Sequence, residues 1–165
     1  MNLFIVVLGG KILGGNVEMH DVRWVIGETI EATFPQLQSE WIGISQGLHL
    51  DSYKLIKFVN GFRVSLVKSN NVATPEVNRL WFLNFGGYRP SDMLEHHHFE
   101  LVVAPTIQIA KKKACFKWTQ SVNKIHKDNH ALIDCLQDYS VSLKYDSLGR
   151  HDAMEPDWTG YRVIG

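Results

Sequence analysis

The sequence repeats itself. Sliding the chain along itself by 77 residues, without a gap, lays Leu3–Val67 on Leu80–Lys144 and gives 16 identities in 65 positions, where chance would give about four. The identities include Gly9/Gly86, Gly10/Gly87, Glu18/Glu95, His20/His97, Thr29/Thr106, Trp41/Trp118, His49/His126, Asp51/Asp128 and Ser65/Ser142. Many other pairs exchange one apolar residue for another, such as Phe62/Tyr139 and Ile26/Val103. A chain of 165 residues is therefore read as module copy one (1–68), a polar Pro-containing linker (69–79), module copy two (80–145) and a C-terminal extension (146–165).

Each copy opens with an unbroken apolar run, Leu3–Leu8 or Leu80–Phe85, which suits a central strand covered on both faces. The next segment alternates: Val22, Trp24 and Ile26 against Asp21 and Arg23, and Phe99, Leu101 and Val103 against His98 and Glu100. That pattern is a half-buried strand. Thr29 and Thr106 then serve as helix N-caps, ahead of the stripes Ile30, Phe34, Leu37, Trp41 and Ile107, Ala110, Ala114, Trp118. Pro35 predicts a kink or a restarted helix in copy one. A third strand is expected around His49/His126 and a fourth at Phe62–Val67 or Tyr139–Lys144. Asn60-Gly61 before the fourth is a type I′ hairpin signal; Gln137-Asp138 is a weaker one. The expected fold class is α+β, with two tandem β-β-α-β-β modules in pseudo-twofold symmetry, mostly antiparallel sheet with two helices packed on it. Tyr161-Arg162-Val163-Ile164 in the extension reads as one extra strand.

Composition excludes more than it selects. Formal net charge is zero, which leaves no electrostatic footprint for nucleic acid or an acidic membrane. Met1–Gly10 lacks a basic start, and its likeness recurs mid-chain, so it is read as a strand and not a secretion signal. No apolar stretch reaches membrane-spanning length, and the expected compartment is the cytoplasm. Cys115 and Cys135 are far apart and form no metal or disulfide pattern.

The polar residues identical in both copies nominate a site. They form two E-x-H pairs, Glu18/His20 and Glu95/His97, and two H-x-D pairs, His49/Asp51 and His126/Asp128. Residues i and i+2 share one face of a strand, so each pair can converge. Glu18 and His20 continue the face of Val22, Trp24 and Ile26 and are expected to be partly desolvated. Two histidines and two carboxylates per copy suit a divalent transition metal. A structural network at a sheet end is the leading reading of such pairs, with a metal site or metal-free acid–base chemistry as the alternatives, and the spacing is no recognised metal signature.

Other features read more plainly. In His96-His97-His98, alternation sends His97 to the core face and its neighbours outward. Gly9-Gly10-Lys11-Ile12-Leu13-Gly14-Gly15-Asn16 lacks the order of a phosphate loop, and its first Gly pair is read as a positive-φ turn or bulge. The copy-one helix region carries Glu28, Glu31 and Glu40; copy two carries Lys111, Lys112, Lys113 and Lys117. These are solvated faces, or else the acidic helix of one chain meets the basic helix of another in a homodimer. Partners in view are thus a small ligand or a second copy.

The run Leu3–Gly10, then Glu18-Met19-His20-Asp21-Val22, the Pro-containing helix ending at Trp41, and His49-Leu50-Asp51 resemble an uncharacterised bacterial group, domain-of-unknown-function family fifteen-forty-three. Its members carry one or two copies of the module. The likeness covers nearly all of both copies, departing in copy two where Asp21 becomes His98 and Pro35 becomes Lys112. It implies the repeat and transfers no activity.

Overall fold

The computed structural model describes residues 1–69, 77–118, 123–152 and 154–165; for 115–118, 123, 124, 127 and 128 only the backbone is described. The linker positions 70–76 and the side chains of Cys115, Lys117, Trp118 and Asp128 therefore lie outside the described residues.

Copy one forms β1 (Asn2–Gly10), β2 (Met19–Gly27), a 3-10 turn (Glu31–Thr33), α1 (Phe34–Glu40), β3 (His49–Ile56), β4 (Phe58–Val59) and β5 (Phe62–Lys68). Copy two forms β6 (Arg79–Tyr88), β7 (His96–Ala104), α2 (Ile107–Trp118), β8 (Asn123–Ile133), β9 (Cys135–Leu136) and β10 (Tyr139–Tyr145); β11 (Trp158–Val163) follows. The bounds of β2, β4 and β5 recur 77 residues later in β7, β9 and β10 (19 + 77 = 96, 58 + 77 = 135, 62 + 77 = 139). The α+β duplication is thus present element by element. The short β4 and β9 are additions to the expected β-β-α-β-β order.

The chain divides into two compact units, residues 1–57 with 152–165, and residues 58–151. In the first, the antiparallel order is β11-β3-β1-β2. β1 lies centrally, paired with both β2 and β3, so its unbroken apolar run follows from having cover on both faces. One face packs Phe4, Val6 and Leu8 with Val25, Ile30, Leu37, Trp41, Leu48 and Leu50. The other buries Leu3, Ile5 and Ile26. The helix accordingly sits on the Val25 side of β2, opposite to Trp24 and Ile26. Alternation identified the strand but not which face the helix takes, because both faces are apolar at its C-terminal end. Pro35 falls in the first turn of α1, after the 3-10 turn. This is the restart, where a missing N–H costs nothing. The Thr29 and Thr106 hydroxyls accept from Ala32 and Ile109 N–H at 3.4 Å each.

The second unit holds one sheet ordered β7-β6-β8 under α2 and another ordered β4-β5-β10-β9. In the latter, β5 of copy one pairs with β10 of copy two, with Ser65 opposite Ser142, Val64 opposite Leu143 and Leu66 opposite Val141. Ser65 and Ser142 are themselves repeat equivalents, 77 residues apart. An antiparallel pair that sets a residue opposite its own repeat equivalent has a local dyad at that point. Asn60 (φ 49°) and Gly61 (φ 79°) make the expected type I′ turn. Gln137 keeps a positive φ of 52°, while Asp138 does not.

That hairpin is pinned by Asp146. Its carboxylate accepts from the Arg150 guanidinium at 2.7 and 3.0 Å and from Arg150 N–H at 2.9 Å. Gly61 N–H in turn donates to the Arg150 carbonyl at 2.9 Å, and the guanidinium stacks 3.8 Å from the Phe58 ring. The Arg150 hydrogen bonds lower the Asp146 pKa from its ordinary 3.8 to about 2. A depressed carboxyl pKa contributes stability that is complete above the unfolded value and is lost as pH falls through the folded one. Urea midpoints should therefore drop between about pH 4 and pH 2, and Asp146→Asn should flatten that limb while lowering the midpoint at neutral pH. An unchanged acid limb in the variant would remove the claim.

No helix among the described residues is long and apolar enough to cross a membrane.

Candidate functional site

The repeated Gly pair is not a turn. Gly9 and Gly10 are the last two residues of β1, and neither has a positive φ. What they provide is close approach. A Cβ on Gly9 would stand 2.4 Å from His49 Nε2, and one on Gly10 would stand 2.8 Å from Trp41 Cζ2. Neighbouring strand residues face opposite ways. One glycine therefore admits an imidazole on one face and the next admits an indole on the other. This accounts for the joint presence of Gly9-Gly10, Trp41 and His49 in copy one.

Gly9 pairs with His20 on β2 and with His49 on β3. The two histidines thus flank one glycine on the same face, about 10 Å apart at the backbone, and the His49 ring leans over the bare position. Copy two repeats the register, with Gly86 opposite His97 and His126. The carboxylates arrive by different routes. Glu18 lies just before β2 begins. Asp51 is the extra residue of a β-bulge, since Val7 pairs with Ser52 while Leu8 pairs with Leu50; bulges commonly re-aim a side chain at such places. The same register break in β8, between Leu83 opposite His130 and Phe85 opposite Lys127, places Asp128 in an equivalent stretch of backbone.

All four copy-one groups meet. His20 Nε2 lies 3.4 Å from Glu18 Oε1 and 3.3 Å from Asp51 Oδ2. His49 Nε2 lies 3.7 Å from Glu18 Oε2 and 3.3 Å from Asp51 Oδ1. In copy two Glu95 again spans both rings, 3.7 Å from His97 Nε2 and 2.8 Å from His126 Nε2. The His49 Nδ1 is 2.9 Å from the Gly47 carbonyl. A carbonyl only accepts, so Nδ1 carries the proton, and in the neutral ring Nε2 presents a lone pair to the two carboxylates. Burial is the largest influence on Asp51 and raises its pKa; His20 and His49 oppose the rise and Glu18 adds to it.

Exposure differs from expectation. His20 is 51% exposed and Glu18 43%, so the E-x-H pair is not desolvated at a core end; they lie on the face away from α1, where burial falls off along β2 from Ile26 toward His20. The buried member is His49, at 2%. Among the histidine run, His97 is the open one at 52%, while His96 is half-buried and paired with Asp92. Alternation assigned these the other way round, because burial on β7 is confined to Glu100–Ala104 and falls off toward the histidines.

Gly9, Gly47 and Tyr161 were not among the nominated site residues. Gly9 was signalled by its repetition. Tyr161, whose ring centroid lies 4.1 Å from that of His49, stands outside the repeat and left no signal.

The sequence model of the domain of unknown function DUF1543 matches residues 15–66 and 92–143. The two spans are offset by the same 77 residues (92 − 15 = 77) and together take in more than half the chain. The chain belongs to this family. A solved structure described as the crystal structure of a protein Il1583 from Idiomarina loihiensis is 34% identical, covers 99% of this chain and 98% of its own, and superposes with a TM-score of 0.79. No curated protein matches the chain. DUF1543 membership establishes the two modules and brings no activity.

Proposed function

We propose that each module binds one divalent transition-metal ion between its E-x-H and H-x-D residues: Glu18, His20, His49 and Asp51 in copy one, Glu95, His97, His126 and Asp128 in copy two. The observation that carries this is the His49 ring. With Nδ1 committed to Gly47, Nε2 turns an acceptor toward two carboxylates, an arrangement that repels unless a cation or an added proton lies between. In copy one the spacing favours a cation; in copy two the 2.8 Å His126–Glu95 contact is a hydrogen bond that an ion would have to open. Separations of 3.3–3.7 Å are long for hydrogen bonds, yet ligands about 2.0–2.2 Å from a tetrahedral ion stand about 3.3–3.6 Å from one another. The Gly47 carbonyl on the far nitrogen is the usual outer partner of a metal-bound imidazole. Among the described residues no three donors already enclose one ion-sized point; the half-exposed Glu18 and His20 side chains can rotate to complete it.

The dimer reading has less support. Glu31 and Glu40 are already engaged within the chain, with Arg162 at 2.8 Å and Arg23 at 4.0 Å, and the Lys113 ammonium donates to the Val103 carbonyl at 3.0 Å. A free, exposed Cys135 suits the reducing cytoplasm, which we take as the compartment. A small oxygen- or nitrogen-donor ligand would complete the coordination of the ion.

Tag-free full-length protein, stripped with chelator and resupplied with Zn²⁺, should take up two equivalents by elemental analysis. His20→Ala should remove one and His20→Ala/His97→Ala both, with the far-ultraviolet circular dichroism unchanged, while His96→Ala should remove none. Uptake that survives the double substitution, or fails in the parent with Zn²⁺, Mn²⁺ and Ni²⁺ alike, would leave a proton-bridged structural network as the reading.

A further inference from the structure

Resting on that reading, we infer that the two modules hold their ions unequally: module one is a tight, closed site whose lid is Tyr161, and module two is a weaker, solvent-open site that exchanges its ion and can accept a further donor from solution.

The donor sets are the same residue types at the same repeat positions, so chemistry alone predicts equal grip. Their surroundings differ. The His49 ring is 2% exposed and that of His126 is 45%. The cause is β11, which pairs with β3 through Val163 opposite His49 and Arg162 opposite Leu50. This brings the Tyr161 ring to 4.1 Å from the His49 ring at 31°. Among the described residues the corresponding sheet in module two stops at β8. Its His126 faces Tyr88 from 6.0 Å.

The same C-terminal segment also fixes the outer partner of His49. Ile164 and Gly165 N–H donate to the Leu48 carbonyl at 2.8 and 3.1 Å, and Gly47 N–H donates to the Gly165 carbonyl at 3.3 Å. The turn whose carbonyl holds His49 Nδ1 is thus tied down from outside the repeat. A ligand ring that is buried, stacked and hydrogen-bonded through its far nitrogen loses little freedom when an ion binds. A ring nearly half exposed has more to lose, and water competes for its ion.

Outer partners of a ligating histidine are worth roughly 10–100-fold in metal affinity, which sets the separation to look for. Apo full-length protein would be titrated with Co²⁺ and followed by its visible absorption. Two steps are expected, separated by about 10–100-fold. His20→Ala should delete the tighter step and His97→Ala the weaker; both rings are half exposed, so neither substitution threatens the core. Tyr161→Ala should move the tighter step toward the weaker one, while Tyr161→Phe should leave it in place. Tyr161 is itself 67% exposed, so its loss spares the fold. Two indistinguishable steps, deletion in the reverse order, or a Tyr161→Ala curve identical to the parent would each overturn the inference while leaving metal binding intact. No step at all would instead remove the metal reading beneath it.

Discussion

Alanine at Gly9 is expected to lower stability by about 1–3 kcal/mol, the usual cost of forcing an extra group into a packed position, and to abolish the Co²⁺ step of module one. The new Cβ would stand 2.4 Å from His49 Nε2, 3.0 Å from its Cε1 and 3.1 Å from Asp51 Oδ2. The imidazole has little room to retreat, because Tyr161 stacks at 4.1 Å and Gly47 holds Nδ1. Gly10→Ala is the matched control. Its Cβ would meet Trp41 Cζ2 at 2.8 Å and Cε2 at 3.2 Å, on the opposite face. It should cost comparable stability and leave the Co²⁺ step unchanged. Urea unfolding and Co²⁺ titration of both variants make the comparison. A Gly9→Ala protein with parental stability and both steps intact would mean that His49 does not lie over the glycine.

The glycine pair also marks where sequence reasoning stopped. The repeat was legible because a residue fixed by backbone geometry or core volume tends to recur in both copies, and no knowledge of contacts is needed to count recurrences. Strands, helices and the Asn60-Gly61 turn followed from local periodicity and φ preference. The donor residues were legible for the same reason as the glycines. What local pattern does not encode is which partner crosses above a residue. Gly9 read as a turn because a glycine that leaves room for a ring is indistinguishable, in sequence, from one that bends the chain. The helix side of β2 was ambiguous because Val25 and Ile26 are both buried. The exposure of Glu18 and His20 depended on how far burial extends along the face of β2 away from α1, and it falls off from Ile26 toward His20. Tyr161 was out of reach altogether, since its partner His49 is 112 positions earlier (161 − 49 = 112) and the extension has no second copy for comparison.

The two cores carry an exchange of volume that predicts a further large effect. Leu8 and Leu37 share the buried cluster of the first unit. Their equivalents 77 residues on, Phe85 and Ala114, share that of the second. The larger strand residue in copy two is matched by a smaller helix residue, so each cluster keeps its filling while the individual positions differ. Phe85 is 2% exposed and Ala114 2%, which leaves neither any slack. Phe85→Ala should therefore cost about 3–5 kcal/mol. Ala114→Leu alone should cost about 1–3 kcal/mol by overpacking. Phe85→Leu/Ala114→Leu, which writes the copy-one pair into copy two, should cost clearly less than the sum of its single substitutions, because neighbouring residues that share a space couple. Urea unfolding of the four proteins in this cycle gives the coupling directly. Additive losses would show that the two positions do not compete for one volume, and that the modules fill their cores by separate solutions.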